Sequence, residues 1–154
     1  MEALIPDFRG EAALVVRVVN TPVTVLAHNL ETVPRLYRPV RPGADYERSL
    51  RVLAAAKEAC SDVITKSGLM LGLGETRKEV LAVCEDLRGV GCDILTLGQY
   101  LRPSAEQLPV ARHVTPSEFA ELGDAAQRLG FRHVESGPLV RSSYHAWRGM
   151  LFEG

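Results

Sequence analysis

Residues 64–79 read Ile64-Thr-Lys-Ser-Gly68-Leu-Met70-Leu-Gly72-Leu-Gly74-Glu75-Thr76-Arg-Lys-Glu79. The first eight have strand length and lack a clean polar/apolar alternation, as expected of a strand covered on both faces in a parallel sheet. Thr76 and Glu79 then form a capping-box pattern ahead of Val80, Val83, Cys84 and Leu87, which share one helical stripe. A strand running through a glycine-rich turn into a capped helix is the repeating unit of parallel α/β folds.

Working outward, the same alternation recurs. Apolar runs occupy 23–29 and 94–101, with a shorter one at 4–8. Helical patterns lie between them. Residues 45–60 place Tyr46, Leu50, Leu53 and Ala54 on one stripe, with Asp45 as N-cap. Thr115-Pro-Ser-Glu118 sets Thr at the N-cap, Pro at N1 and Glu at N3; Phe119, Leu122, Ala126 and Leu129 follow, and Gly130 stops the helix. Strand–helix–strand order at this spacing predicts right-handed βαβ units. Four strands are too few to close an eight-stranded barrel, which leaves an open sheet or a partial barrel.

Composition bounds the function. The chain has 154 residues, a formal net charge of −1, 46% hydrophobic and 24% charged residues. Such values describe one globular domain with a full core. Balanced charge argues against a nucleic-acid partner. No apolar run approaches the ~20 residues that span a bilayer, and Met-Glu-Ala-Leu-Ile-Pro-Asp is not a secretory signal. The expectation is a cytoplasmic protein with neither nucleic-acid nor membrane partners. Cys60, Cys84 and Cys92 fit no usual zinc or iron–sulfur spacing, and their odd number argues against a disulfide framework.

In parallel α/β folds chemistry gathers where strands end. The ends here carry Asp7, His28-Asn29-Leu30-Glu31, Gly68 to Glu75, and Gln99-Tyr100. Gly68 and Gly72 weaken a strand unless a flat ligand or another backbone approaches closely, and Leu69, Met70 and Leu71 offer an apolar floor for an aromatic ring. A bulge followed by a tight turn explains the segment nearly as well. Neither a phosphate loop nor GxGxxG is present. Near the C-terminus, Gly137-Pro-Leu-Val-Arg141-Ser142-Ser143-Tyr144-His145 is dense in hydroxyls. It lacks a GxSxG elbow and an acid partner, so a terminal segment folding over a site is a better reading than a Ser–His hydrolase. No catalytic acid, base or nucleophile stands out.

Taken together these motifs resemble the C-terminal half of lipoyl synthases, a radical S-adenosylmethionine family, from Leu4-Ile-Pro-Asp-Phe8 to Tyr144-His145-Ala146. The most specific stretches are His28-Asn-Leu-Glu-Thr-Val-Pro-Arg-Leu-Tyr37, Val40-Arg-Pro-Gly-Ala-Asp-Tyr46, Thr65–Glu75, Gly91-Cys-Asp-Ile-Leu-Thr-Leu-Gly-Gln-Tyr100 and Gly137–Tyr144. The resemblance implies the later half of a (β/α)₆ barrel with mainly parallel strands. Residues 1–131 would be the half barrel and 132–154 a C-terminal segment within one domain. It implies S-adenosylmethionine binding by Asn29, Glu31, Ser67, Gly68, Met70, Gly72, Glu75, Gln99 and Tyr100. Gly68, Met70, Gly72 and Glu75 match the family's GxIxGxxE pattern, Met70 in the Ile place. Arg141, Ser142, Ser143 and Tyr144 match its RSSY element, in which one serine (Ser142 or Ser143 here) ligates an auxiliary [4Fe–4S] cluster, with Arg141 and Tyr144 supporting.

The implied reaction is sulfur insertion at C6 and C8 of an octanoyl group on a lipoyl-carrier protein. It uses a radical from S-adenosylmethionine and two [4Fe–4S] clusters. Both cysteine motifs of the family, CxxxCxxC and CxxxxCxxxxxC, are missing here, and Ala27 replaces the more usual Asn. The strand-like start resembles a cut within a barrel strand. The 154 residues alone are therefore expected to be inactive, acting with a separate N-terminal half or self-associating to cover a half barrel. A degenerate half barrel kept as a binding or partner module is the alternative; an unrelated α/β enzyme finds no catalytic constellation.

Overall fold

The computed structural model describes residues 1–141. Five parallel strands, β1 (Glu2–Leu4), β2 (Val25–Ala27), β3 (Ile64–Leu71), β4 (Ile94–Gln99) and β5 (His133–Ser136), form one sheet in the order β1-β2-β3-β4-β5. The helices are α1 (Ala12–Val19), α2 (Tyr37–Val40), α3 (Tyr46–Ala59), α4 (Arg77–Gly89) and α5 (Pro116–Arg128). Every strand lies beside its predecessor. Right-handed crossovers then place the connecting helices on one face. That is barrel winding; a doubly wound sheet reverses its order midway. The fold is α/β with the strand order of a partial (β/α) barrel.

The helix-side face is the main core, in which Leu26, Leu69, Leu71, Leu95 and Leu97 from the strands join Val80, Val83, Leu87 and Phe119 from α4 and α5. The opposite, inner face is more mixed. Val25, Ile64 and Ile94 make a small cluster, and Lys66, almost wholly buried, pairs with Glu2 at 2.9 Å. Lys66 is in register with Ile94, and Gly68 with Thr96 one step nearer the strand ends. The two-sided burial expected of these strands is thus divided between a hydrocarbon face and a partly polar one.

Local signals place the helices. Thr76 accepts from the Glu79 amide while Glu79 accepts from the Thr76 amide, and Thr115 and Glu118 repeat the arrangement. A hydrogen bond from Arg35, joined by the Thr76 amide, holds the Glu79 carboxyl down to about 2. Asp45 caps α3 through the Arg48 amide, and Gly130, at φ +98°, follows α5.

Three elements differ from expectation. The first strand is Glu2–Leu4 rather than 4–8, because Pro6 has no amide to donate and Asp7 caps the turn that follows, accepting from Arg9 at 2.9 Å. α1 went unread because its β-branched run, Val15-Val16 and Val18-Val19, has strand propensity. Only Val15 and Val19, one turn apart, are buried, and the crossover from β1 to β2 needs a helix there. Finally, the segment expected to follow the half barrel supplies a fifth strand: β5 is a full member of the sheet in register with Ile94–Leu97 of β4.

Candidate functional site

Where β2, β3 and β4 end, an open cleft of about 290 Å³ is lined by Asn29, Glu31, Gly68, Leu69, Met70, Thr96, Gly98, Gln99, Leu101, Val140 and Arg141. Seven residues singled out in the sequence meet here: Asn29, Glu31, Gly68, Leu69, Met70, Gln99 and Arg141. Thr96, Gly98, Leu101 and Val140 were not anticipated. A glycine inside the apolar run of β4 was the available signal for Gly98, the same signal that marked Gly68.

One wall is polar. Glu31 has a left-handed backbone at φ +68°, which costs a non-glycine residue on the order of 1 kcal/mol. The strain is held from both sides: the Glu31 amide donates to the Gly68 carbonyl at 2.9 Å, and the Glu31 carbonyl accepts from Met70 at 2.8 Å. Burial raises the Glu31 carboxyl above its usual range, against the opposing pull of the Asn29 side chain and the Arg41 guanidinium. Arg41 itself donates to the Leu30 carbonyl and the Tyr37 hydroxyl, bracing the turn. A raised carboxylate works against folding once it ionises, so its contribution is favourable at low pH and fades as pH rises through the raised value. Glu31→Gln should therefore raise the thermal midpoint by about 2–4 °C near neutral pH and leave it unchanged near pH 4; a fall at neutral pH would contradict this account of the wall.

Next to Glu31, the Asn29 Oδ1 is buried without a hydrogen-bond partner among the described residues. Asn29 and the Thr96 hydroxyl occupy the space that a Gly68 side chain would take, 3.2 and 2.6 Å from a Cβ placed there. Gly68 thus admits two polar side chains to the wall. Gly68→Ala should destabilise the chain by about 1–3 kcal/mol, and Gly68→Ala/Thr96→Ala should recover most of it; urea unfolding of the three proteins checks this.

The apolar wall is narrower than the expected floor. Strand alternation turns Leu69 and Leu71 into the helix-side core. Leu69, 4% exposed, only borders the cleft, which leaves Met70 with Leu101 and Val140 as its apolar wall.

The remaining expected residues shape the surroundings instead of lining the cleft. Ser67 is buried, accepting from the Leu30 amide at 3.1 Å. Glu75 takes the Gly72 and Leu73 amides on its two oxygens at 2.7 and 2.9 Å, capping the tight turn. Gly72, at φ +98°, lets the Arg112 carbonyl and the Gln99 amide come close. Gln99, although it also lines the cleft, donates to the Tyr100 and Arg112 carbonyls and accepts from the Val114 amide. Tyr100 donates to the Leu108 carbonyl. Ser142, Ser143 and Tyr144 lie outside the described residues.

His28, beside Asn29, is buried with Nδ1 at 2.9 Å from the Ile5 carbonyl and Nε2 without a partner among the described residues. Burial lowers its pKa below the usual 6.5, so the ring is neutral in the fold. Its contribution is present above about pH 6.5 and lost as pH falls toward the depressed value. Wild type should lose more stability than His28→Gln between about pH 7.5 and 5.5, read by urea midpoints.

The described residues do not suit an iron–sulfur cluster. No group of three or more His, Cys, Asp or Glu stands together among them. Burial pushes the Cys84 and Cys92 thiols up to about 12, away from the thiolate that binds metal.

Residues 3–87, more than half of the chain, match the Radical SAM superfamily. The chain belongs to the radical SAM superfamily. Within it, the chain is 60% identical over 149 residues to a lipoyl synthase of Nitrosococcus oceani, covering 96% of this chain and 46% of that protein. It is 60% identical over 146 residues to lipoyl synthase 2 of Gloeobacter violaceus (95% and 50%), and 53% identical over 150 residues to a lipoyl synthase of Caldanaerobacter subterraneus (97% and 53%). It spans about half the length of the curated relatives it matches. For a radical SAM protein, the cleft lies where strand-end chemistry is expected, with one polar and one apolar wall. No helix among the described residues is long and apolar enough to cross a membrane.

Proposed function

We propose that this chain is the S-adenosylmethionine-facing part of a lipoyl synthase, which inserts sulfur at C6 and C8 of an octanoyl group held on a carrier-protein lysine. The observation that carries the reading is the convergence of four separate motif segments, around Asn29, Met70, Gln99 and Arg141, on one cleft. The residues present fit S-adenosylmethionine. Met70 and Leu101 suit an adenine ring, while Asn29 and Glu31 offer an unspent acceptor and a carboxylate for ribose hydroxyls and an ammonium. When bound, that cofactor supplies the radical chemistry of the superfamily. The chain's own residues bind, orient and shield it. Met70 and Leu101 exclude water from one side, and the braced turn at Glu31 holds its carboxylate against the other. Ser142 or Ser143 is proposed as an auxiliary-cluster ligand, supported by Arg141 and Tyr144. The described residues do not provide the other ligands, so no reaction step is assigned to them.

The partners proposed are an octanoylated carrier protein and either a separate N-terminal portion or a second copy of the chain. Leu4, on the edge strand β1, is 63% exposed, and an exposed edge favours association. The test is complementation. The chain alone, given iron, sulfide, reductant and S-adenosylmethionine, should yield no 5′-deoxyadenosine. Adding the cysteine-bearing half of a lipoyl synthase should restore both 5′-deoxyadenosine and lipoyl product. Failure of the mixture, with both parts folded, would leave the binding-module reading.

A further inference from the structure

We infer that Gly98 is a positioning residue that seats the segment after β5 across the cleft and so delivers Arg141 to it. This rests on the cleft being the S-adenosylmethionine site. After Ser136 the chain turns back: the Gly137 amide donates to the Leu97 carbonyl at 3.1 Å, and the Val140 amide donates to Gly137 at 3.2 Å. The turn lays Val140 directly on β4. A Cβ on Gly98 would stand 2.2 Å from the Val140 carbonyl oxygen and 3.2 Å from its carbon, with the Arg141 Nη1 at 3.9 Å. Real Cβ contacts essentially never fall below 3.0 Å, so any side chain at Gly98 lifts the crossing segment by most of an ångström.

The demand on Gly98 is purely one of space. It is not among the residues with positive φ, so alanine suits its own backbone. The obstacle is also main chain, unlike that at Gly68, where the nearest atom is the Thr96 hydroxyl. No truncation at Val140 relieves it. Displacements of about 1 Å in a positioning element degrade a site out of proportion to their effect on folding, and the residues that follow Arg141 include the serines proposed as cluster ligands.

Two readouts test the inference on the whole chain. The first is the rate of tryptic cleavage after Arg141, followed as release of fragment 1–141. Gly98→Ala should accelerate it at least tenfold, Gly98→Ala/Val140→Ala should be no slower, and Gly137→Ala, whose Cβ among the described residues meets only Val140 Cγ2 at 3.6 Å, should match wild type. The second is S-adenosylmethionine affinity by equilibrium dialysis. Gly98→Ala should weaken it severalfold in the wild-type background and leave it unchanged when Arg141 is already Ala, a coupling that a general loss of stability does not produce. Unchanged cleavage in Gly98→Ala, or equal affinity losses in both backgrounds, would overturn the inference. Absence of S-adenosylmethionine binding by wild type would count instead against the assignment of the cleft, with the cleavage comparison still deciding the role of Gly98.

Discussion

Gly72→Ala is expected to lower the thermal midpoint by about 10 °C, the largest effect of any single methyl group added to this chain. Two costs coincide at that position. The backbone lies at φ +98°, where an L side chain loses roughly 1–2 kcal/mol. The added Cβ would also stand 2.4 Å from both the Arg112 carbonyl oxygen and the Gln99 Nε2, and forcing room in such packing costs roughly 1–3 kcal/mol. Neither neighbour can yield cheaply. The Arg112 carbonyl already accepts from Gln99, and the Ala111 amide donates to the Gly72 carbonyl at 2.8 Å. Moving either loosens the 111–114 segment, which Gly72 and Gln99 hold. Gly74→Ala separates the two costs, since Gly74 lies at φ +109° with none of the described residues within 4 Å of its Cβ position. It should lose only the conformational part. Equal midpoints for the two variants would show that the approach of Arg112 and Gln99 matters little.

Lys66→Met comes next, with an expected loss of about 3 kcal/mol. Its side chain is 4% exposed and that of Glu2 17%. The ammonium meets one Glu2 oxygen, while the other is buried without a partner among the described residues. Methionine keeps the length and removes the charge, leaving a carboxylate facing Val25 and Ile64 on the inner side of the sheet. Breaking such a pair from one side costs more than removing both partners, because the remaining charge is desolvated. Lys66→Met/Glu2→Leu should therefore regain most of the loss in urea unfolding. If Lys66→Met costs under about 1 kcal/mol, the three-residue edge strand β1 releases Glu2 to water, and the pair contributes little to holding the inner face.

What the sequence made legible follows from how local each cause is. The bounds of β3 and the starts of α3, α4 and α5 were readable because capping boxes, Asp45 and Gly130 act within four residues of what they cap. Asn29, Glu31 and Met70 were readable at strand ends, and Arg141 in the hydroxyl-rich stretch near the C-terminus. α1 was not, because its valine run favours a strand locally and only packing decides otherwise. Nor was the division of labour within Leu69-Met70-Leu71: the sheet sends the outer two to the helices, and the inner and outer faces appear only once the register is known. Gly98 escaped for a related reason. The glycine in the β4 run is a local mark, but its cause lies in Val140, some forty positions away. Ser67 and Glu75 look like ligand contacts in the sequence, but the fold spends them on the amides of Leu30, Gly72 and Leu73.

The most direct test of the account is an amide chemical-shift map of the ¹⁵N-labelled chain titrated with S-adenosylmethionine. The predicted result is that amides at Asn29, Glu31, Gly68, Met70, Gly98 and Arg141 move together along one binding curve while those of α1 and α3 stay still. Shifts confined to the groove between α1 and α3, or none at the cleft at millimolar cofactor, would contradict it.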